Sequence, residues 1–180
     1  DLSEFNTSKV TDMAFMFYYC TSLTSLDLSH FDTSNVTTMS TMFDYCTSLT
    51  SVNLTGFDTS KVTLMDGMFG HCPALTSLDL SSFNTAKVGN MSGMFAYCEK
   101  LKTIYADESR WSTAAIENND NSMFSECMAP LTGGNGTSFW DTYYADDASY
   151  ARIDKDGQPG YLTHKAGTVI GNAGKRLVCL

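Results

Sequence analysis

Apolar residues return along the first hundred positions of this chain with a fixed period. The phrases FNTSKVTDMAFMFYYC, FDTSNVTTMSTMFDYC, FDTSKVTLMDGMFGHC and FNTAKVGNMSGMFAYC each begin 26 residues after the one before. Nine positions recur in register and all are apolar. Leu2, Leu28, Leu54 and Leu80 form one series, Phe5, Phe31, Phe57 and Phe83 a second, and Val10, Val36, Val62 and Val88 a third. Met13, Met16, Phe17, Cys20, Leu23 and Leu26 open the other six. A period of this length marks a repeat architecture in which no unit buries its apolar side alone, so like residues stack on like.

Two shorter periods divide each repeat. In Leu23 to Ser29, Leu26 and Leu28 alternate with Ser25, Asp27 and Ser29, the pattern of a short strand with one buried face. Met39, Met42, Phe43 and Cys46 fall at i, i+3, i+4 and i+7, which predicts an amphipathic helix of about two turns. Asp32, Thr33 and Ser34 between them are turn formers whose short oxygens bond nearby backbone. The expected fold is an α/β solenoid: a right-handed stack of short parallel strands and short helices.

The pattern loosens towards the C-terminus. Trp111, Ile116 and SMFSEC (122–127) mark an irregular fifth repeat, and the periodicity stops after Leu131. GGNG (133–136) is a loop signal, while Tyr150 to Asp154 and Gly160 to Thr163 read as two strands around the turn KDGQP. The expected organisation is therefore a repeat domain over 1–131, with four regular repeats and one irregular, a small C-terminal β cap over 132–164, and a tail over 165–180. The first strand lacks its leading LTSL, so the chain is expected to be a piece of a longer protein.

The phrase LDLSxFDTSxVTxMxxMFxxCxxLTSLDLS resembles the 26-residue repeat of the BspA-like leucine-rich-repeat surface proteins of bacteria. LTGGNGT (131–137), YARID (150–154) and PGYLT (159–163) are similar to the segment that closes the repeat array in that family. The resemblance implies a secreted or cell-surface bacterial protein acting as a non-enzymatic adhesion module. Its implied partner is a host matrix protein, another surface protein or a glycan.

Composition narrows the classes further. Of 180 residues 43% are apolar, sufficient for one core, and the formal charge of -9 argues against nucleic acid, which requires a basic stripe. No run in the sequence is expected to insert into a membrane. Five of the six cysteines, Cys20, Cys46, Cys72, Cys98 and Cys127, share one repeat position, where parallel Cβ vectors disfavour disulfides, so free buried thiols are expected. No cysteine or histidine spacing suits zinc, and no cofactor or metal is expected. His30, His71 and His164 stand at unrelated positions and read as surface residues. Asp154, Asp156 and Gly157 lack the remaining ligands of a calcium loop and read as a hairpin turn.

The outward strand positions remain as the candidate site. They form three rows: Ser25, Ser51, Ser77 and Thr103; Asp27, Asn53, Asp79 and Tyr105; and Ser29, Thr55, Ser81 and Asp107. Repeat proteins use such an extended concave face to bind macromolecules. Tyr19, Tyr45 and Tyr97 form a second row on the helix side, for which partial core packing is the leading reading. The two alternatives to adhesion are a spacer that projects another domain and, remotely, a carbohydrate-active enzyme.

Overall fold

The computed structural model describes residues 2, 4–116, 122–127, 131–136, 151–154 and 160–165. Among them the strands are short and parallel: β1 (Ser25–Asp27), β2 (Ser51–Asn53), β3 (Ser77–Asp79), β4 (Thr103–Ala106) and β5 (Leu162–His164). β1 pairs with β2 in one open sheet, and β3, β4 and β5 follow in a second. Ser25 pairs Ser51 and Ser77 pairs Thr103, so the pairing register equals the sequence period of 26. β2 lies beside β3 without a strand ladder between them. Outside these strands, single parallel bridges link Asp12, Thr38, Leu64 and Asn90 in succession.

The alternation within the strands places Leu78 and Ile104 in the core, with Leu26 and Val52 half-buried. From the second repeat onward the recurrent Phe, Val, Met and Cys positions are buried as well. Phe17, Phe43, Phe69, Phe95 and Phe124 stack nearly parallel, with ring centroids 5.4, 5.4, 6.1 and 5.4 Å apart.

The expected helices are absent among the described residues. Residues 40–45 and their equivalents form consecutive turns. Backbone hydrogen bonds explain the difference. Met42, Asp44 and Cys46 donate to the carbonyls of Met39, Thr41 and Phe43, while the intervening amides of Thr41, Phe43 and Tyr45 donate to Asp66, Met68 and Gly70 of the next repeat. A helix would keep all of these bonds to itself. Phe15, Tyr19, Thr41, Tyr45, His71 and Tyr97 have φ between 51° and 61°, and each gives its N–H to the following repeat. The left-handed conformation, costly for residues with a Cβ, turns the donor towards the neighbour. The stripe Met39, Met42, Phe43 and Cys46 is buried as the spacing implies, but turns rather than a helix carry it.

The motif F-(D/N)-T also acts across repeats. Asp32, Asp58 and Asn84 accept the amide two residues on, as the turn reading implies. The threonine beside each looks outward to its neighbour instead. Thr33 Oγ1 donates to Asp58 O (3.0 Å) and accepts from Asp58 N (2.8 Å). Thr59 does the same with Asn84 at 2.9 and 2.7 Å, and Thr85 with Ser112 at 2.7 and 2.7 Å. These hydroxyls are fully buried, and each satisfies a backbone donor and acceptor that would otherwise be orphaned.

After the fifth repeat the strand position beside β4 is filled from further along the chain. Thr132 N still donates to Lys102 O in register, and Leu162, Thr163 and His164 then pair with Ile104, Tyr105 and Ala106. Ile153 bridges Leu162 in parallel, so residues 151–154 and 160–164 do not form the antiparallel hairpin that their turn residues suggest; pairing with β4 sets the direction of β5. Gly133 packs so closely that a Cβ there would lie 2.2 Å from Gly160 O. Tyr161 sits edge-on to Phe124 at 5.1 Å, and Trp111 Nε1 donates to Ala151 O at 2.7 Å, closing the aromatic stack. Tyr150, the KDGQP turn (155–159) and the tail from residue 166 lie outside the described residues.

Thr59→Val keeps the side chain's shape but leaves the Asn84 amide and carbonyl without a partner, so urea unfolding should register a loss of about 2 kcal/mol. Thr63→Val, on an exposed hydroxyl, should stay within about 0.5 kcal/mol. Equal losses at the two sites would refute the role given to the buried threonines.

Candidate functional site

The strand face is built from a repeated carboxylate or amide turn. At the end of β1, Asp27 accepts the Ser29 amide at 2.9 Å and the Asn53 side-chain amide at 3.0 Å. Asn53 in turn accepts the Thr55 amide. Asp79 accepts the amide and hydroxyl of Ser81 at 3.1 and 2.6 Å. The side chain that fixes each turn therefore also displays its polar oxygens at the surface. The Ser29 amide and side chain, followed by Asn53, hold the Asp27 carboxyl below its ordinary range. For Asp79 burial acts in the opposite direction, but bonds from Lys165 and Ser81 outweigh it and the carboxyl again lies low. Both face residues are thus anionic at neutral pH.

The pairing register joins Ser25 to Ser51 and Asp27 to Asn53, and Ser77 to Thr103 and Asp79 to Tyr105. The rows thus form two paired segments, with no ladder from β2 to β3. Ser25, Asp27, Ser29, Ser51, Asn53, Thr55 and Ser77 are exposed, whereas Asp79, Thr103 and Tyr105 are half-buried. Ser81 and Asp107 are buried, so the third row does not continue outward to its end. β4 is one residue longer than its predecessors, and after it Asp107 rather than Tyr105 accepts the amide and hydroxyl two residues on, at 2.9 and 2.7 Å from Ser109. A shallow depression of about 660 Å³ opens beside Ser25, Asp27, His30, Ser51 and Asn53.

Lys165 is the face residue that sequence reading did not find. Its Nζ bonds the Asp79 carboxylate and lies 5.5 Å from the centroid of the Tyr105 ring. Its amide donates to Ala106 O, which ties this point of the chain to the end of β4. Asp79 and Lys165 are 86 residues apart, and no local motif links them.

The turns carry an aromatic row at the surface. Tyr19, Tyr45, His71 and Tyr97 occupy equivalent left-handed positions. Tyr45 and Tyr97 flank His71 with centroids 4.0 and 4.6 Å away and nearly parallel planes, and Asp44 contacts His71 Nδ1 at 2.9 Å. Tyr19 and Tyr97 are 62% and 44% exposed, so these rings stack on one another at the surface rather than entering the core. His71 belongs to this row and is not an isolated surface histidine.

The thiols serve the interior. Cys46, Cys72, Cys98 and Cys127 are free and buried, and each Sγ donates to a phenylalanine carbonyl of the preceding repeat, at 3.1, 3.2, 3.1 and 2.9 Å. Cys20 is free and half-buried, and Cys179 lies outside the described residues. Burial pushes Cys46 up to about 11 and Cys127 to about 12, and raises Cys72 and Cys98 as well. A raised pKa in the folded state gives stability that is complete below the unfolded thiol value near 9 and is lost as pH rises through the folded values. Thermal stability should therefore fall between about pH 9 and 11, and Cys72→Ala should flatten that slope. In the native protein these four thiols should resist a thiol reagent and react after denaturation. Labelling of Cys72 at the rate of a free thiol would contradict this.

Among the described residues no group of three or more His, Cys, Asp or Glu side chains is placed to hold a metal ion, and no helix is long and apolar enough to cross a membrane. No curated protein and no solved structure matches the chain. Two overlapping matches, over residues 1–54 and 20–132, do connect it to a protein family, and their overlap reflects the internal repeat. With the larger part of its length so matched, the chain belongs to the family described as Mycoplasma protein of unknown function, DUF285.

Proposed function

We propose that this chain is a non-enzymatic binding module of a bacterial surface or secreted protein, of the BspA-like leucine-rich-repeat type, and that its strand face contacts a protein or glycan partner. In this reading the repeats form a right-handed solenoid, with residues 132–164 as its C-terminal cap. The observation that carries the proposal is the division of labour among polar side chains. Buried threonine hydroxyls and thiols are committed to backbone groups of neighbouring repeats. On the strand face, by contrast, Ser25, Asp27, Ser51 and Asn53 stand exposed in pairing register. A flat array of hydroxyls, amides and carboxylates on a rigid frame offers directional hydrogen bonds over an extended area, which suits a macromolecule better than a small substrate.

The aromatic row favours a second reading, in which the turn side is the contact surface. Exposed tyrosines supply large contact area at low entropic cost. A spacer role is the third, since stacking accounts for the recurrent Phe, Val, Met and Cys positions from the second repeat onward.

A screen of the purified chain against host matrix proteins and glycans tests these readings. For any partner found, Asp27→Lys with Asp79→Lys, assayed well below the variant's own Tm, should weaken binding at least about tenfold, or about 1.4 kcal/mol. Serine at Tyr19, Tyr45 and Tyr97 should leave binding intact. The reverse outcome assigns the contact to the turn side, and a screen without any partner supports the spacer.

A further inference from the structure

The strand face already holds one ammonium group. Lys165 Nζ sits between the Asp79 carboxylate and the Tyr105 ring, two groups on adjacent strands that the 26-residue register places side by side. Carboxylate and aromatic face together form a recognition site for a primary ammonium, combining charge pairing with attraction to the ring's quadrupole. Asp27 occupies the equivalent position two repeats earlier. It is exposed and oriented by the Ser29 amide and Asn53, and among the described residues no lysine lies upon it.

We propose that the strand face docks lysine-bearing segments of a protein partner, and that Lys165 fills the Asp79–Tyr105 position of that surface in the free chain. The inference rests on the strand face being the binding surface. Charge supports the choice of occupant. None of the ten strand-face positions that are exposed or half-buried carries a lysine, arginine or histidine, and the chain as a whole has a formal charge of -9. The same charge disfavours a second copy as the occupant, because two such chains repel. A neutral glycan would donate hydroxyls to the two carboxylates but gain no charge pairing from them. Lys165 then acts as an internal competitor: the Asp79 position is open to a partner only in the fraction of molecules whose own lysine has swung away.

The test uses the full chain and a fluorescein-labelled peptide of alternating glycine and lysine, with its fully acetylated form as control, followed by fluorescence anisotropy. The lysine peptide should bind, weaken steeply with added salt, and lose binding on acetylation. Asp27→Asn should weaken it at least about tenfold. Lys165→Ala should tighten it by about threefold or more, because the competitor is gone. That last effect separates docking at this face from diffuse attraction to an acidic protein, which would change little. Equal binding of the acetylated peptide, or no response to Lys165→Ala, overturns the proposal. If the lysine peptide does not bind while the Asp27→Lys, Asp79→Lys protein loses a matrix or glycan partner, the inference of charge fails and the strand face stands. If serine at Tyr19, Tyr45 and Tyr97 abolishes lysine-peptide binding, both fail.

Discussion

Hydrogen bonds from one repeat to the next are the constraint on which this structure depends. Each repeat is too short to satisfy its backbone internally, and a buried amide or carbonyl left unpaired costs about as much as a lost hydrogen bond. The neighbour supplies the partner. Main-chain bonds do this along the strands and along alternate residues of the turns, Thr33, Thr59 and Thr85 do it where the chain bends, and Cys46, Cys72, Cys98 and Cys127 cap phenylalanine carbonyls. The 26-residue register follows, because a shift of even one residue would misalign all these bonds together and move the apolar set off the core.

The same constraint explains local geometry that would otherwise look unfavourable. Left-handed backbone at Thr41, Tyr45, His71 and Tyr97 carries a conformational cost, offset by the bond that each amide makes to the next repeat. Gly67 and Gly93 take this conformation without the cost. Equivalent residues at such points emerge on one line, and Tyr45, His71 and Tyr97 therefore meet as a stacked row at the surface.

With the interior polar groups committed to neighbours, chemistry directed outward is confined to the faces. The strand side displays two carboxylates and a series of hydroxyls, and the turn side an aromatic row. Lys165 joins the C-terminal segment to the strand face at Asp79. The segment that extends the β3–β4 sheet through β5 thus also alters the surface nearest to it.

The sequence by itself determined the repeat, its register, the strand alternation and the identity of the core, because all of these follow from a periodic apolar pattern that stacking must bury. It also pointed to the outward positions from Ser25 to Asn53 and to the free thiols, since both depend on which residues recur in one place. Only the tertiary structure decided that Met39, Met42, Phe43 and Cys46 lie on turns instead of a helix: their spacing is common to both, and bonds to the next repeat select between them. The invariant threonine of F-(D/N)-T is plain in the sequence, but its task is not, for its partner lies 25 residues away. The burial of Ser81 and Asp107, the parallel course of β5 and the contact of Lys165 with Asp79 were likewise invisible. Each arises where the period breaks, and beyond the period only packing in three dimensions brings distant residues together.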